Sequence, residues 1–250
     1  MKLNCIDKKE ELDRIKDFFQ DIRFYMGKSV LDGMMGQAYV DDFTNPKFAI
    51  LMVRQYCFMS GNIEEKILKN FIDTNLKDKI LIPSDNIKEM IEKIYKDKVI
   101  KGERYSIKKN PKFNIDILKE YAQNISSEFI VKEIDLSLAL RIKKENYINI
   151  TDDYENYGIG YCCLYNDKII GVASSNIFYK DGIEVNIKVS EEYRRRGTAT
   201  ALASKLILKC LNENKKISWD ASNMNSVGLA AKLGFEYDSK YNIYKFEDYV

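Results

Sequence analysis

Hydrophobic and polar positions alternate along three consecutive segments in the C-terminal half of the chain. Gly158–Tyr165 is followed by Ile169–Ile177 and then by Glu184–Val189. Alternation with a period of two is typical of strands. The short polar segments between them, Asn166-Asp167 and Lys180-Asp181-Gly182, are typical hairpin turns. The pattern therefore predicts three antiparallel strands joined by tight turns.

Helical spacing of apolar residues follows the third strand, over Thr200–Leu208. Helices are also predicted at Ile115–Gln123 and Leu136–Lys144, and strands at Phe129–Ile134 and Tyr237–Phe246. Together these elements predict an α/β (α+β) fold in which helices pack on a mixed, mostly antiparallel sheet. The polar segment from 147 to 157, which contains the paired acids Asp152-Asp153, is predicted to be a loop.

The N-terminal half has its own α/β pattern. The predicted elements, in chain order, are helices at Lys8–Gln20 and Asp21–Leu31, strands at Ala38–Val40 and Lys47–Val53, a turn at Phe58–Asn62, a helix at Asn62–Asn75, a strand at Ile80–Ile82, a helix at Asp85–Tyr95 and a strand at Val99–Ile107. Their order from Ala38 onward repeats that of the C-terminal half. We interpret the N-terminal half either as a degenerate copy of the C-terminal fold, without a ligand loop, or as a plain α/β cap.

A polar, proline-containing segment, Lys108–Lys112, separates the halves. It predicts an N-terminal domain over residues 1–110 and a C-terminal domain over residues 111–250.

The candidate chemistry begins at the turn after Glu184–Val189. The segment Arg194-Arg195-Arg196-Gly197-Thr198-Ala199 leads directly into the predicted helix. At a helix start, unpaired backbone N–H groups and the helix dipole favour an anion, and a glycine lets that anion approach the backbone closely. The sequence therefore predicts a phosphate-binding turn. A basic, solvated helix start is the alternative interpretation.

Two motifs carry a resemblance to a known family. The first is R-x-x-G-x-A between a strand and a helix, and the second is Trp219-Asp220-Ala221-Ser222-Asn223-Met224-Asn225-Ser226 followed by Leu233-Gly234-Phe235. Together they resemble the GNAT superfamily of N-acetyltransferases, and in particular the branch that includes zwittermicin A resistance-type acetyltransferases. The resemblance to the superfamily covers roughly residues 127–246, and it implies the GNAT acyltransferase fold with acetyl-CoA as cosubstrate.

The resemblance implies the residues that hold the coenzyme. The pyrophosphate would bind at Arg194, Arg195, Arg196, Gly197, Thr198, Ala199 and Thr200. The backbone of Ile187, Lys188 and Val189 would pair with pantetheine, although the side chains of Ile187 and Val189 can also be ordinary core. Asn223 and Ser226 would contact the coenzyme, or else Asn223 or Ser222 would cap the following helix. The Gly-Lys-Ser/Thr ending of a nucleoside triphosphate loop is missing from the sequence.

Glu184 is the candidate general base, because an amine with a pKa near 10 must lose a proton before it attacks a thioester. The same residue can also be interpreted as a solvated strand residue, and Asp220 is a second choice for the base. Many superfamily members have a tyrosine, thought to protonate the leaving thiolate, at the position held here by Ala230. Solvent, Tyr241 or Tyr244 could replace it. Trp219 is expected in the core beneath the site.

Composition narrows the function classes. The chain has 250 residues, a net charge of +2, five cysteines and no histidine. The missing histidine excludes Ser-His-Asp and Cys-His catalytic units and imidazole-ligated zinc, so no metal is expected. The near-neutral charge argues against nucleic acid as a partner. An N-terminus without an apolar core and reduced cysteines favour a cytoplasmic protein that does not bind membranes.

The sequence thus predicts an enzyme that transfers an acetyl group from acetyl-CoA to a primary amine of a small molecule, acting as a monomer or homodimer. The alternative is a catalytically weak acyl-CoA sensor or regulatory protein on the same fold.

Overall fold

A computed structural model describes residues 2–6, 8–150 and 154–247. The chain divides into two compact units. One contains the residues up to Ser106 together with those from Lys240 onward, and the other contains Ile107–Ser239. The predicted paired acids Asp152 and Asp153 lie outside the described residues.

The first unit is built on one sheet in the order β1-β2-β3-β4-β5-β13-β6. Its strands are β1 (Asn4–Ile6), β2 (Gln37–Val40), β3 (Phe48–Val53), β4 (Tyr56–Gly61), β5 (Ile80–Pro83), β6 (Val99–Ile107) and the last strand of the chain, β13 (Tyr237–Phe246). Its α-helices are α1 (Lys9–Arg14), α2 (Lys28–Leu31), α3 (Glu65–Asn75) and α4 (Asp85–Tyr95). β4 and β5 are parallel, and α3 makes the crossover between them that parallel strands require.

The core of this unit lies between the sheet and the two longer helices. α4 contributes Ile87, Ile91 and Tyr95, which recur every four residues and so share one face of the helix. α3 contributes Leu68 and Ile72 in the same way. These side chains pack on alternate residues of the central strands, which explains why the periodic pattern predicted the elements from β5 to β6 closely.

The second unit has a five-stranded sheet in the order β11-β10-β9-β8-β7. The strands of this sheet are β7 (Ile130–Glu133), β8 (Gly160–Tyr165), β9 (Lys168–Tyr179), β10 (Gly182–Val189) and β11 (Lys216–Ser218). The unit also contains the two-residue strand β12 (Asp220–Ala221), which is not part of this sheet. Its helices are α5 (Ile115–Gln123), α6 (Leu136–Lys144), α7 (Tyr154–Tyr157), α8 (Thr198–Asn212) and α9 (Met224–Lys232). β7 to β10 are antiparallel and β11 is parallel to β10, with α8 as the crossover. The predicted mixed, mostly antiparallel sheet is confirmed.

The two faces of this second sheet are covered by different helices. On the face named here the α8 face, a Cβ at Gly171 would lie 3.0 Å from Leu202 and 3.1 Å from Thr198 of α8. On the opposite face, named the α6 face, Ala139 and Ile142 of α6 share a core cluster with Cys162 and Val172 of the strands. Any site on this sheet is therefore approached from one of two separate sides.

Three N-terminal predictions differ from the structure. The region from Lys8 to Leu31 forms α1 and α2 with 3₁₀ turns at Lys16–Phe19 and Ile22–Gly27, instead of two long helices. The predicted turn that begins at Phe58 is the second half of β4, and the chain turns only at Gly61, where φ is +105°. β1 was not predicted.

One element of the C-terminal half also differs from its prediction. The segment predicted to be a loop contains the short helix α7.

The last strand does not stay within one predicted domain. The prediction placed all of residues 111–250 in the C-terminal domain. From Lys240 onward β13 lies in the first unit, where Tyr244 pairs with Leu81 of β5 and is buried in the core beside Phe246. The fold order still repeats in both halves. Three antiparallel strands, a crossover helix, a parallel strand and a second helix are followed by a final strand.

Candidate active site

The second sheet opens between β10 and β11. The two strands pair only at Gly182↔Lys216, Ile183↔Ile217 and Glu184↔Ser218. β10 continues to Val189, so on this side its backbone from Val185 onward has no strand partner among the described residues. The unpaired stretch contains Ile187, Lys188 and Val189, the three residues whose backbone was predicted to bind pantetheine. An extended ligand with amide groups can use these backbone donors and acceptors.

Glu184 lies at the point where the strands separate. Its side chain is only 2% exposed. Tyr179 donates a hydrogen bond of 3.0 Å to Oε2, Ser218 also donates to Oε2, and the backbone N–H of Asp220 donates to Oε1 at 2.6 Å. The carboxylate is therefore held by three donors from β9, β11 and β12, and it is not the solvated strand residue of the alternative interpretation.

The electrostatics of this position suit proton transfer. Burial, followed by the nearby charge of Asp220, raises the pKa of Glu184 to about 7, while the bonds from Ser218, Tyr179 and the Asp220 N–H act in the opposite direction. A base whose pKa lies near the working pH is partly ionised and still basic enough to accept a proton. Perturbed carboxyl groups of this kind are concentrated at functional sites.

The start of α8 carries backbone N–H groups that the helix does not use. Gly197 is the N-cap, in a left-handed conformation with φ +78°, and no side chain caps the helix there. The first N–H to bond back to Gly197 is that of Ala201, so those of Thr198, Ala199 and Thr200 are not used in the helix. The hydroxyl of Thr198 is buried without a partner among the described residues. These groups fit a diphosphate.

The structure gives a second reason for glycine at position 197. Besides the positive φ, a Cβ there would lie 3.2 Å from the carbonyl oxygen of Asn124, just beyond the end of α5. Arg195 also has a positive φ, of +61°. The tight turn is thus fixed by backbone conformation and by packing against the end of α5.

The three arginines of the turn differ in their partners. Arg194 pairs with Glu191 at 3.1 Å and its Nε donates to the carbonyl of Val189. Arg196 lies over the ring of Tyr193, with a long contact to Glu128 at 3.9 Å. Arg195 is exposed and makes no ion pair within the described part of the chain. Arg195 is therefore the arginine most available to an anion.

The second motif places its residues at the start of α9. Asn223 is the N-cap, and its side-chain oxygen accepts the N–H of Ser226 at 3.0 Å. The hydroxyl of Ser226 accepts a hydrogen bond from the buried indole of Trp219. The helix-cap alternative thus describes Asn223, and its contact with coenzyme remains a prediction. Trp219 lies in the core against Phe235, as expected.

The position that holds a tyrosine in many superfamily members is inaccessible to solvent in this protein. Ala230 is fully buried on α9. Of the two tyrosines considered as replacements, both belong to the first unit, and the hydroxyl of Tyr244 donates to Glu92 there. The general acid therefore stays unassigned.

Sequence reasoning missed Tyr179 and Ser218, the two hydroxyls on Glu184. The predicted three-residue turn Lys180-Asp181-Gly182 would pair Tyr179 with Ile183, whereas the observed turn pairs Tyr179 with Gly182 and so places Tyr179 and Glu184 on one face of adjacent strands. Ser218 had no signal in the sequence either, since its pairing with Glu184 depends on the register of a parallel strand that follows a long helix.

The matches to known proteins agree with this geometry. The family model described as GNAT acetyltransferase matches residues 16–244. This chain belongs to the GNAT acetyltransferase family. Acetyl transfer is accordingly its class of reaction.

Individual proteins are similar to most of the chain. A GCN5-related N-acetyltransferase-like protein from Streptococcus suis 89/1591 has a solved structure with a TM-score of 0.85 and 32% identity, covering 95% of this chain and 99% of the other. An uncharacterised N-acetyltransferase of Bacillus subtilis (strain 168), YdfB, is 26% identical over 86% of this chain and 88% of its own length. A tandem GNAT protein from the clavulanic acid biosynthesis pathway shares the fold, with a TM-score of 0.55 and 8% identity over 97% of this chain and 98% of the other.

Two further observations concern other kinds of site. Within the described ranges, no group of three or more acidic or cysteine side chains is arranged to hold a metal ion. Over the same residues, none of the helices combines the length and apolar character that crossing a membrane requires.

Proposed function

We propose that this GNAT protein transfers an acetyl group from acetyl-CoA to a primary amine of a small molecule, by direct attack of the amine in a ternary complex. The observation that carries the proposal is the position of Glu184, buried and ionisable at the point where β10 and β11 separate. Acetyl-CoA would supply the activated acetyl thioester.

The donor side of the site would be formed by α8 and the unpaired part of β10. The free N–H groups of Thr198, Ala199 and Thr200 would bind the pyrophosphate, and Arg195 would add positive charge nearby. The backbone of Ile187 to Val189 would pair with the pantetheine amides. A backbone N–H of this segment would also stabilise the negative charge that develops on the thioester oxygen.

On the acceptor side, Glu184 would remove the proton that an ammonium group carries at neutral pH. The amine nitrogen then bonds to the acetyl carbon and the carbon–sulfur bond breaks. The ammonium group loses two protons in all. The first passes to Glu184 and from there to solvent, and the second, lost as the amide forms, is taken up by the coenzyme thiolate, so charge balances without any other reactant. The thiolate, with a pKa near 8.5, is a good leaving group even without the family tyrosine.

The proposal is tested by incubating the protein with acetyl-CoA and a panel of small primary amines, with free thiol release as the readout. We expect thiol release that depends on the amine and yields the N-acetylated product by mass spectrometry. Coenzyme binding by calorimetry without turnover of any amine would instead support a coenzyme-binding regulatory protein. The absence of both would overturn the site itself.

Replacing Gly197 by alanine is expected to weaken coenzyme binding about tenfold and to destabilise the protein by about 1–2 kcal/mol, because alanine disfavours a φ of +78°. Calorimetry with CoA and urea unfolding measure the two effects. Gly228→Ala is the matched control. A Cβ there meets nothing within 4 Å, and alanine favours a helix interior, so neither binding nor stability should fall. Equal CoA affinity of the two variants would contradict the assigned turn.

A further inference from the structure

Five buried side-chain N or O atoms have no hydrogen-bond partner among the described residues. They belong to Tyr154, Ser174, Asn176, Thr198 and Ser204. Buried polar atoms are normally paired, because an unpaired one has lost its hydrogen bonds to water without gaining others. Ser174 and Asn176 are on β9, the strand next to Glu184, and Tyr154 is on α7. Such a group of unpaired atoms requires an explanation.

The strand register places Ser174 on the same face as the candidate base. Ser174 is the Cα partner of Asn186 on β10 and of Gly160 on β8. Partners in antiparallel strands project to the same side of a sheet. The register shifts between Glu184 and Val185, where β9 carries the extra residue Asn176. β10 itself is continuous there, so Glu184 and Asn186, two residues apart on it, share a face with their Cα atoms about 7 Å apart. Gly160, Ser174 and Asn186 therefore form a row across three strands, next to Glu184.

Tyr154 lies above the same row. It is part of the core cluster of the α6 face, which places this row on the side of the sheet opposite α8. A Cβ at Gly160 would lie 2.6 Å from the Tyr154 hydroxyl oxygen and 2.8 Å from Ser174 Cβ. The glycine thus brings the two hydroxyl-bearing residues close together. Burial raises the pKa of Tyr154, so its hydroxyl keeps its proton and can donate.

The outer end of the row is open. Asn186 is half-buried, and its amide forms no hydrogen bond to any part of the chain that the structure describes. A molecule that reaches Glu184 from the α6 face therefore passes an unpaired amide and comes close to two unpaired hydroxyls. The coenzyme elements, α8 and its N-terminal turn, are on the other face.

We infer that Asn186, Ser174 and Tyr154 form the acceptor-binding surface, and that the acceptor is a primary amine with neutral hydrogen-bonding groups, hydroxyl or amide, within about 7 Å of its nitrogen. This inference rests on the proposed function. All three side chains can both donate and accept, which matches hydroxyl and amide groups. None of the three carries a charge.

Matched amines test the inference. D-glucosamine and cyclohexylamine are both amines on a six-membered ring. Glucosamine adds hydroxyl groups and a ring oxygen, which also lower the pKa of its amine, so the preference of each variant is compared with that of wild type at one pH. We expect wild-type kcat/KM to be at least tenfold higher for glucosamine. Ser174→Ala, Tyr154→Phe and Asn186→Ala should each reduce that preference about three- to tenfold, mainly through KM for glucosamine.

Ser204→Ala is the control for the inference. It removes another fully buried, unpaired hydroxyl by the same change, but within α8, so it should not alter the preference. Asn186 is only half-buried, so Asn186→Ala should fold even if a variant of the core does not. Fluorescence of the single, buried Trp219 would show whether each variant is folded.

The possible failures can be told apart. A preference that is unchanged in all three variants, or a wild-type preference for cyclohexylamine, overturns the inference and leaves the hydroxyls as a site for internal water. If wild-type protein acetylates neither these amines nor any other in the panel, the proposed function fails instead. In that case, binding of glucosamine by calorimetry in the presence of CoA, weakened by Asn186→Ala and not by Ser204→Ala, would still support the acceptor surface.

Discussion

Replacing Glu184 by glutamine is expected to lower kcat by about 10²- to 10⁴-fold, the range typical of a lost general base. Glutamine has nearly the same shape and can still accept the N–H of Asp220, but it cannot take up a proton. The hydrogen bonds with Tyr179 and Ser218 can reverse direction, because hydroxyls both donate and accept. We therefore expect the variant to fold and to bind coenzyme as the wild type does.

The pH dependence of this variant separates a base from a merely structural glutamate. In the wild type, kcat/KM should rise tenfold per pH unit below pH 7 and level off above it, because the ionised carboxylate is the active form and its pKa is about 7. In Glu184→Gln that limb should disappear. The residual rate should instead increase up to the pKa of the acceptor amine itself, as the free amine becomes more abundant.

Glu184→Asp is the matched control for this experiment, since it keeps an ionisable carboxylate but withdraws it by one methylene group. It should retain a titrating limb with a lower kcat. An activity of Glu184→Gln within threefold of wild type, or an unchanged pH limb, would show that the proton leaves by another route. Asp220, the second choice made from the sequence, would then be the next residue to replace.

The sequence predicts the long periodic elements of this protein well. The bounds of α4, α5, α6, β6 and β13 match their patterns, because each has one apolar face packed on a sheet or core. The N-terminal 3₁₀ turns were missed because tertiary contacts override the local pattern. Phe24 packs edge-on against both Phe19 and Phe58, and that packing holds the chain in short turns instead of long helices.

The candidate site, too, could be predicted from the sequence only in part. The position of Glu184 and the turn around Gly197 could be predicted, because both depend on short motifs. The surroundings of Glu184 could not, since Ser218 and the Asp220 N–H are more than 30 residues away in sequence and reach it only through the register of β11. The row of Gly160, Ser174 and Asn186 likewise depends on the relative register of three strands. Periodicity assigns a residue to a face, but it does not say which residue lies opposite.

The same buried carboxylate should make stability depend on pH in an unusual direction. The pKa of Glu184 is raised from an ordinary 4.5 to about 7 in the folded protein. Below pH 4.5 it is neutral in both folded and unfolded states, and it carries no penalty. As pH rises towards 7, the unfolded chain loses this proton while the folded protein keeps it, so the free energy of unfolding falls. Above pH 7 the loss amounts to about 3 kcal/mol.

Glu184→Gln does not titrate, so it should gain stability relative to wild type by about 3 kcal/mol between pH 4.5 and pH 8. Urea unfolding followed by the fluorescence of Trp219 measures this for the second unit, where the tryptophan is buried. Other titrating groups are shared by both proteins and cancel in the difference.

Glu213→Gln provides the opposite sign in the same unit. Hydrogen bonds with Lys215 and Lys209 hold the pKa of Glu213 below its usual value, so this carboxylate stabilises the fold above its ordinary pKa and loses that effect on acidification. Relative to wild type, Glu213→Gln should therefore become less stable as pH rises towards the ordinary pKa of 4.5 and stay so above it, by less than the effect at Glu184 because Glu213 is partly exposed. If the free energies of unfolding of Glu184→Gln and wild type changed in parallel from pH 4.5 to 8, the wild-type Glu184 carboxyl would titrate with an ordinary pKa. The pH limb of catalysis would then need another source.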